Sequence, residues 1–149
     1  MSFAQPTLVL TVAQYRQVVA HCYDGLPDEA CGLFGGPLRD DFEPTGEVGA
    51  VYPCRNADAS ARTYTIDTGD YLRADRDARG RGLDIVGGWH SHTHTEAYPS
   101  ATDVAKAQSL GPTWLLAIVS LKRAEPALRS YRIVGDAILE VPVRVTGAG

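Results

Sequence analysis

The stretch Leu83-Asp84-Ile85-Val86-Gly87-Gly88-Trp89-His90-Ser91-His92-Thr93-His94 decides the fold prediction. Its first part is apolar and predicts a central strand over residues 83–90, which runs into a segment holding three of the chain's four histidines. Residues two apart on a strand point to the same face, so His90 and His92 can converge on one ion at the end of the strand. His94 joins them only if the strand continues.

Strand-like and helical segments alternate on both sides of this stretch. Their order predicts an α/β fold, a mixed α/β sandwich of sheet and helices, in a single domain over residues 1–149. The predicted helices span 12–23 (with Thr11 as N-cap), 68–81 and 101–110. The other predicted strands span 7–10, 30–36, 47–52, 63–66, 114–120, 127–134 and 138–145.

The composition argues against several classes of function. The net charge is -4 at pH 7 and the basic residues are interspersed with acids, so nucleic-acid binding is not expected. No apolar run is long enough to span a bilayer, and no signal peptide is recognisable, so we expect a cytoplasmic protein without a membrane partner. The three cysteines form no C-x-x-C pair and are expected to be buried apolar residues.

A second polar group follows His92 at Ser100-Ala101-Thr102-Asp103, just before a helical pattern. On its own this group predicts a capping box, in which Ser100 caps the helix and Asp103 lies three residues further on. A helix start is also a rigid position from which a carboxylate can face the strand end that carries the histidines. Both interpretations are compatible.

Two imidazoles and one carboxylate fill three positions of a tetrahedral zinc site and leave the fourth open for water, as in catalytic sites. Manganese, iron and cobalt remain open as alternatives. A nearby carboxylate must still take a proton from that water and pass it to the leaving amine. Glu29, directly before the apolar segment 30–36, is the best candidate for this general base.

Other catalytic patterns fit less well. The chain has no H-E-x-x-H, and His94-Thr95-Glu96 matches H-x-E without the P-C-x-x-C that nucleobase deaminases require. Cys31 lies in an apolar segment without a neighbouring base, which disfavours a cysteine protease. Ser91 is expected to be structural, whereas His94 is left open between a solvent-facing loop residue, a substrate contact and a supporting role behind the metal ligands.

The residues resemble a known family signature. Glu29 followed by Cys31-Gly32-Leu33-Phe34-Gly35, then His90-Ser91-His92, seven residues, Ser100, two residues and Asp103, is similar to the complete JAMM (MPN+) motif. The similarity covers nearly the whole chain. It implies the JAMM/MPN fold, a curved mixed sheet flanked by helices as in the cytidine deaminases. It also implies one Zn2+ held by His90, His92 and Asp103, water activated by Glu29, and an oxyanion steadied by Ser100.

One departure narrows the resemblance. Many members have Pro after the second histidine, whereas this chain has Thr93, and the run from His90 to Ser100 is most similar to bacterial hydrolases of cysteine biosynthesis. These release cysteine from the C-terminal glycine of a ubiquitin-like sulfur-carrier protein, which implies a partner bound through its Gly-Gly tail. The alternatives are a protease that removes ubiquitin-like modifiers from lysine, and a non-catalytic MPN scaffold. A homodimer is also left open.

Overall fold

The computed structural model describes residues 5–147, which form eight strands and three helices. The helices are α1 (Val12–Asp24), α2 (Thr68–Gly80) and α3 (Ala101–Leu110). The strands are β1 (Leu8–Thr11), β2 (Cys31–Gly36), β3 (Ala50–Cys54), β4 (Asp84–His92), β5 (Leu115–Ser120), β6 (Ala127–Val134), β7 (Ala137–Val141) and β8 (Val143–Thr146).

Six of the strands form one mixed sheet in the order β3-β2-β4-β5-β6-β7. The central pair, β4 and β5, is parallel, and the other neighbours are antiparallel. The remaining strands, β1 and β8, pair in parallel as a separate two-stranded sheet. This mixed sheet with three helices confirms the predicted fold class.

Strands β2 and β4 pack closely at Gly32 and Trp89. Trp89 is 1% exposed, and its ring lies across Gly32 of the neighbouring strand. A Cβ at position 32 would lie 2.1 Å from Cζ2 of Trp89, so only glycine allows this approach. The close packing sets the register of the strand that carries His90.

The helix starts follow the predicted capping chemistry. The Thr11 hydroxyl accepts from the Gln14 N–H at 3.1 Å, and the Gln14 side chain accepts from the Thr11 N–H at 2.9 Å. Helix α1 then buries Val18 and Cys22 against the core. None of the helices described within residues 5–147 is long and apolar enough to cross a membrane.

Three predicted strands differ from the structure. Residues 63–66 form no strand, and only Ile66 makes an isolated bridge, to Asn56. The strand predicted over 47–52 forms later, as β3. The segment 138–145 is divided at Pro142, which has no N–H to donate, so β7 stays in the large sheet and β8 joins β1.

Candidate metal and active site

A cluster of three buried side chains lies at the end of β4. Because the strand continues as far as His92, His90 and His92 point to the same face, as the two-residue spacing predicts. Asp103 lies in the first turn of α3 and faces them. The three residues are 0%, 5% and 4% exposed, and their ligand atoms all lie within 4.8 Å of one another.

The spacing of the donor atoms can be compared with what zinc requires. Zinc–ligand distances of about 2.0–2.1 Å at tetrahedral angles place two ligand atoms about 3.3 Å apart. The two histidine Nε2 atoms are 3.3 Å apart. His90 Nε2 lies 3.1 Å from one Asp103 oxygen, and His92 Nε2 lies 2.9 Å from the other. The three residues therefore can hold a metal, and their spacing fits a tetrahedral ion.

Hydrogen bonding fixes the tautomer of His92. Its Nδ1 donates to the carbonyl oxygen of Glu96 at 2.8 Å, and since a carbonyl only accepts, Nδ1 carries the proton. In the neutral ring, Nε2 then presents its lone pair to the Asp103 carboxylate. Two such acceptors lie face to face only with a cation between them, either a proton or a metal ion.

The charges in the cluster agree with this arrangement. Burial raises the pKa of the Asp103 carboxyl, but hydrogen bonds with His90 and His92 outweigh it and hold that pKa well below its usual value. Burial lowers the pKa of His90. Burial also lowers the pKa of His92, but its contacts with Asp103 and Glu96 leave it raised. A metal ion would take the place of a proton between His92 and Asp103, because histidine and carboxylate side chains bind a metal in their deprotonated forms.

Aromatic stacking holds the His90 ring. Tyr64 stacks on it with ring centroids 4.3 Å apart and an angle of 21° between the planes. The Lys106 ammonium lies 4.0 Å above the centre of the Tyr64 ring. The Nδ1 atom of His90 has no hydrogen-bond partner among the described residues. The stack of Lys106, Tyr64 and His90 therefore fixes the plane of the His90 ring.

Ser100 and Asp103 form the predicted capping box and also belong to the site. The Ser100 hydroxyl oxygen accepts from the Asp103 N–H at 3.1 Å, and Asp103 Oδ2 accepts from the Ser100 N–H at 2.9 Å. That same Oδ2 contacts His92. The capping interpretation and the site interpretation therefore describe one arrangement.

Glu29 lies near His92, in the segment that leads into β2, the strand paired with β4. Cys31 pairs with His90 in the antiparallel register of β2 and β4. The Ala30 N–H donates to the Ser91 hydroxyl at 2.9 Å, and the Ala30 carbonyl accepts from the Ser91 N–H at 3.0 Å. Glu29 and His92 line the same cavity, and the charge of His92 acts on the Glu29 carboxyl. The Ser91 hydroxyl accepts from the Ala30 N–H, which suits the structural role expected of this residue.

Burial also changes the acidity of Glu29. The residue is 7% exposed, and this burial is the main cause that raises the pKa of its carboxyl from 4.5 to about 7. The neighbouring His92 lowers the pKa by a smaller amount. A carboxyl that titrates near neutral pH suits a group that must both take and release a proton.

Asn56 ties Glu29 to the loop over residues 56–65, and the sequence did not predict this contact. Its Nδ2 donates to the Glu29 carbonyl at 2.9 Å and to the Thr63 carbonyl at 3.0 Å, and the Glu29 N–H donates to Ser60 O at 2.8 Å. The loop is also tied to the histidine segment, because the Thr93 hydroxyl donates to Ala61 O at 3.2 Å. Asn56, which follows Pro53-Cys54-Arg55, was the residue in the sequence that could have indicated this contact.

A cavity of about 360 Å³ opens beside the cluster. Its lining includes Glu29, His92 and Ser100 together with Arg62 and His94. Because β4 ends at His92, His94 is exposed and lies apart from the three buried ligand candidates. The five residues predicted for the site are thus brought to one place, three in the buried cluster and Glu29 and Ser100 in the adjoining cavity.

The cysteines have no role in this site. All three are buried and unpaired, as predicted, and burial raises the pKa of the Cys31 thiol to about 12. A thiol that stays protonated is a poor nucleophile, which argues against a cysteine protease. The mixed sheet, the His-His-Asp cluster and the adjoining carboxyl define the class of protein, a hydrolase whose site can hold a metal ion.

Comparison with known proteins identifies the family. The family described as prokaryotic homologs of the JAB domain matches residues 11–134, so the chain belongs to that family. Over 138 residues it is 38% identical to the CysO-cysteine peptidases of Mycobacterium tuberculosis and Mycobacterium bovis, covering 93% of this chain and 90% of those proteins. It is 28% identical over 133 residues to the desampylase of Haloferax volcanii, covering 86% and 88% respectively.

Two solved structures have the same fold. A protein from Desulfitobacterium hafniense superposes with a TM-score of 0.80 at 32% identity, covering 94% of this chain and 93% of the other. A protein from Salinibacter ruber gives a TM-score of 0.65 at 31% identity, covering 93% and 90%. The chain is therefore an enzyme of the peptidase and hydrolase type with a JAB-domain fold.

Proposed function

We propose that this enzyme is a zinc-dependent peptidase that hydrolyses the amide bond between the C-terminal glycine of a ubiquitin-like sulfur-carrier protein and cysteine. The observation that carries the proposal is the convergence of His90, His92 and Asp103, spaced for one tetrahedral ion, beside Glu29. The similarity to the CysO-cysteine peptidases supports the substrate. Free cysteine is the product.

Each residue has a separate task in this reaction. Bound zinc would polarise the scissile carbonyl and acidify water. Glu29 takes a proton from the attacking water and passes it to the leaving amine. The Ser100 hydroxyl oxygen is occupied as a cap acceptor, and its O–H remains available to donate to the carbonyl oxygen as negative charge develops there.

The carrier's Gly-Gly tail would approach the site as an extended chain. A mainly apolar cavity of about 220 Å³, lined by Leu33, Tyr64 and Trp114 among others, adjoins the His90 side of the cluster through Tyr64. Because glycine has no side chain, a Gly-Gly tail can pass through a narrow channel. Backbone hydrogen bonds can supply affinity for an extended peptide. Three unpaired cysteines are compatible with a reducing, cytoplasmic location.

A second candidate is the removal of ubiquitin-like modifiers from lysine, which the similarity to the desampylase supports. Both substrates present the same acyl side, and they differ only in the leaving amine. The greater identity to the CysO-cysteine peptidases favours cysteine release. Rates of cleavage on a carrier–cysteine adduct and a carrier–lysine conjugate, measured side by side, distinguish the two candidates.

The test begins with metal content and continues with turnover. Purified wild-type protein should contain about one zinc per chain by mass spectrometry. It should also release cysteine from the carrier adduct, while Glu29→Gln keeps its zinc and loses at least about a hundredfold in kcat. Glu125→Gln, an exposed carboxyl elsewhere on the surface, serves as the matched control and should resemble wild type. Near-normal turnover by Glu29→Gln would remove Glu29 from the mechanism.

A further inference from the structure

The cavity beside Glu29 contains one permanent positive charge. Among the residues that line it, Arg62 is the one whose charge does not depend on pH. The residue is exposed and lies on the loop over residues 56–65. Its guanidinium has five N–H donors in a planar fork, which matches a carboxylate with two parallel hydrogen bonds.

This guanidinium has no ion pair in the described part of the chain. Most other arginines do have one, and the following seven each contact an Asp or Glu side chain: Arg39, Arg55, Arg73, Arg79, Arg81, Arg123 and Arg129. Arg62 is thus available to an anion that enters the cavity. The cavity volume, about 360 Å³, is within the range of about 300–1000 Å³ seen for small-molecule sites.

The loop holds Arg62 in a defined place although its side chain is exposed. The Arg62 N–H donates to the Ser60 hydroxyl at 3.0 Å, and Ser60 O accepts from the Glu29 N–H at 2.8 Å. The preceding residue, Ala61, accepts from the Thr93 hydroxyl. The loop backbone next to Arg62 is therefore tied through Ser60 to Glu29, two residues before β2, and through Ala61 to Thr93, the residue after β4.

The leaving group of the proposed reaction carries an anion close to the bond that breaks. In an amide of cysteine, the carboxylate is attached to the same Cα as the leaving nitrogen. When that nitrogen receives its proton from Glu29, the carboxylate must lie within a few ångströms, in the cavity that Glu29 and Arg62 share. A lysine side-chain amide differs, because four methylenes separate its nitrogen from Cα.

We propose that Arg62 binds the free α-carboxylate of the leaving amino acid and so selects single amino-acid adducts over lysine conjugates. His94 and Thr95 line the same cavity and complete its polar surface. Glu29 is the acidic group on that lining, and a counter-charge on Arg62 offsets its repulsion of the substrate carboxylate. This inference rests on the proposed function and names a residue that determines its specificity.

A pair of matched substrates tests the role of the carboxylate. One is the carrier–cysteine adduct, and the other is the same adduct with cysteine amide, which has nearly the same size and no negative charge. Wild-type, zinc-loaded enzyme should prefer the acid by at least about tenfold in kcat/KM, the size expected of a charge-assisted pair in a partly solvated site. The preference should appear mainly in KM.

Variants at position 62 test whether the arginine is responsible. In Arg62→Gln the ratio of kcat/KM for acid over amide should fall to near one, and Arg62→Lys should restore part of it. The control is Arg76→Gln, which removes an exposed arginine that lies on α2 and does not line the cavity. It should keep the wild-type ratio. Because the readout is a ratio within one protein, partial unfolding does not imitate the result.

The failures of the two proposals are distinguishable. If wild type cleaves both adducts at equal kcat/KM, or if Arg62→Gln keeps the acid preference, the inference about Arg62 is overturned while carrier hydrolysis stands. If wild type cleaves neither adduct but cleaves lysine conjugates, the proposed function fails and the inference fails with it.

Discussion

Replacing Glu29 by glutamine should change how the stability of the metal-free protein depends on pH. Burial raises the pKa of this carboxyl from 4.5 to about 7, so the folded state binds its proton more tightly than the unfolded chain does. The resulting stabilisation is fully present below pH 4.5 and is lost as pH rises through about 7. Glutamine does not titrate and shows no such loss.

The size of the effect follows from the two pKa values. At about 1.4 kcal/mol per pH unit, the difference between 4.5 and about 7 corresponds to about 3 kcal/mol. The free energy of unfolding of wild type, minus that of Glu29→Gln, should therefore fall by about 3 kcal/mol between pH 4.5 and pH 8. The titrations of the other groups are shared by both proteins and cancel to first order.

Urea unfolding in the presence of a chelator provides the assay, with free energies obtained by linear extrapolation at each pH. Glu125→Gln is the control, since its carboxyl is exposed and its substitution should leave the pH dependence of wild type unchanged. A difference between wild type and Glu29→Gln that stays constant from pH 4.5 to pH 8 would refute the argument. A Glu29 carboxyl of ordinary acidity would give that result.

Further substitutions test the cluster and its supports. Asp103→Ala should lose the bound zinc, measured by mass spectrometry, because two imidazoles alone hold the ion weakly, and retention of about one zinc per chain would contradict the site. Gly32→Ala should lower the free energy of unfolding by about 1–3 kcal/mol in urea, since the new Cβ collides with the Trp89 ring, and an unchanged value would contradict the packing. Asn56→Ala should lower the free energy of unfolding by about 1–3 kcal/mol and also lower kcat, because the carbonyls of Glu29 and Thr63 lose their shared partner. A wild-type kcat would show that the loop does not position the base.

The part of the fold that follows local rules was predictable from the sequence. The helix starts at Thr11 and Ser100 were correct, because N-caps depend on residues three apart in the chain. The approach of His90 to His92 was correct for a similar reason, the two-residue period of a strand. Each of these features is determined within a few residues.

The errors have a common physical origin in contacts between distant segments. Residues 63–66 are rich in β-branched and aromatic side chains, yet the Asn56 side chain accepts from the Thr65 N–H and donates to the Thr63 carbonyl, so no strand ladder forms there. Pro142 interrupts the segment 138–145 locally, but the partner that β8 joins after it is β1, more than a hundred residues earlier in the chain. Local propensity contains no information about either partner.

The supporting residues of the site were missed for the same reason. The stacking of Tyr64 on His90 and the position of Lys106 above it join three separate elements. No local pattern assigned a role in the site to Tyr64 or Lys106. By contrast, His90 and His92 were detectable from the two-residue period of a strand, and the resemblance to the JAMM motif added Asp103 to them.

The double use of Asp103 limits how this family member can change during evolution. One carboxylate accepts from the Ser100 N–H at the start of α3 and also contacts both histidines, so replacing Asp103 by alanine changes the ligand cluster and the capping box together. Asparagine at this N3 position keeps an oxygen that can accept from the Ser100 N–H while it removes the negative charge. A lineage that drifts from catalysis toward a purely structural role would therefore be expected to pass through asparagine at this position more readily than through alanine.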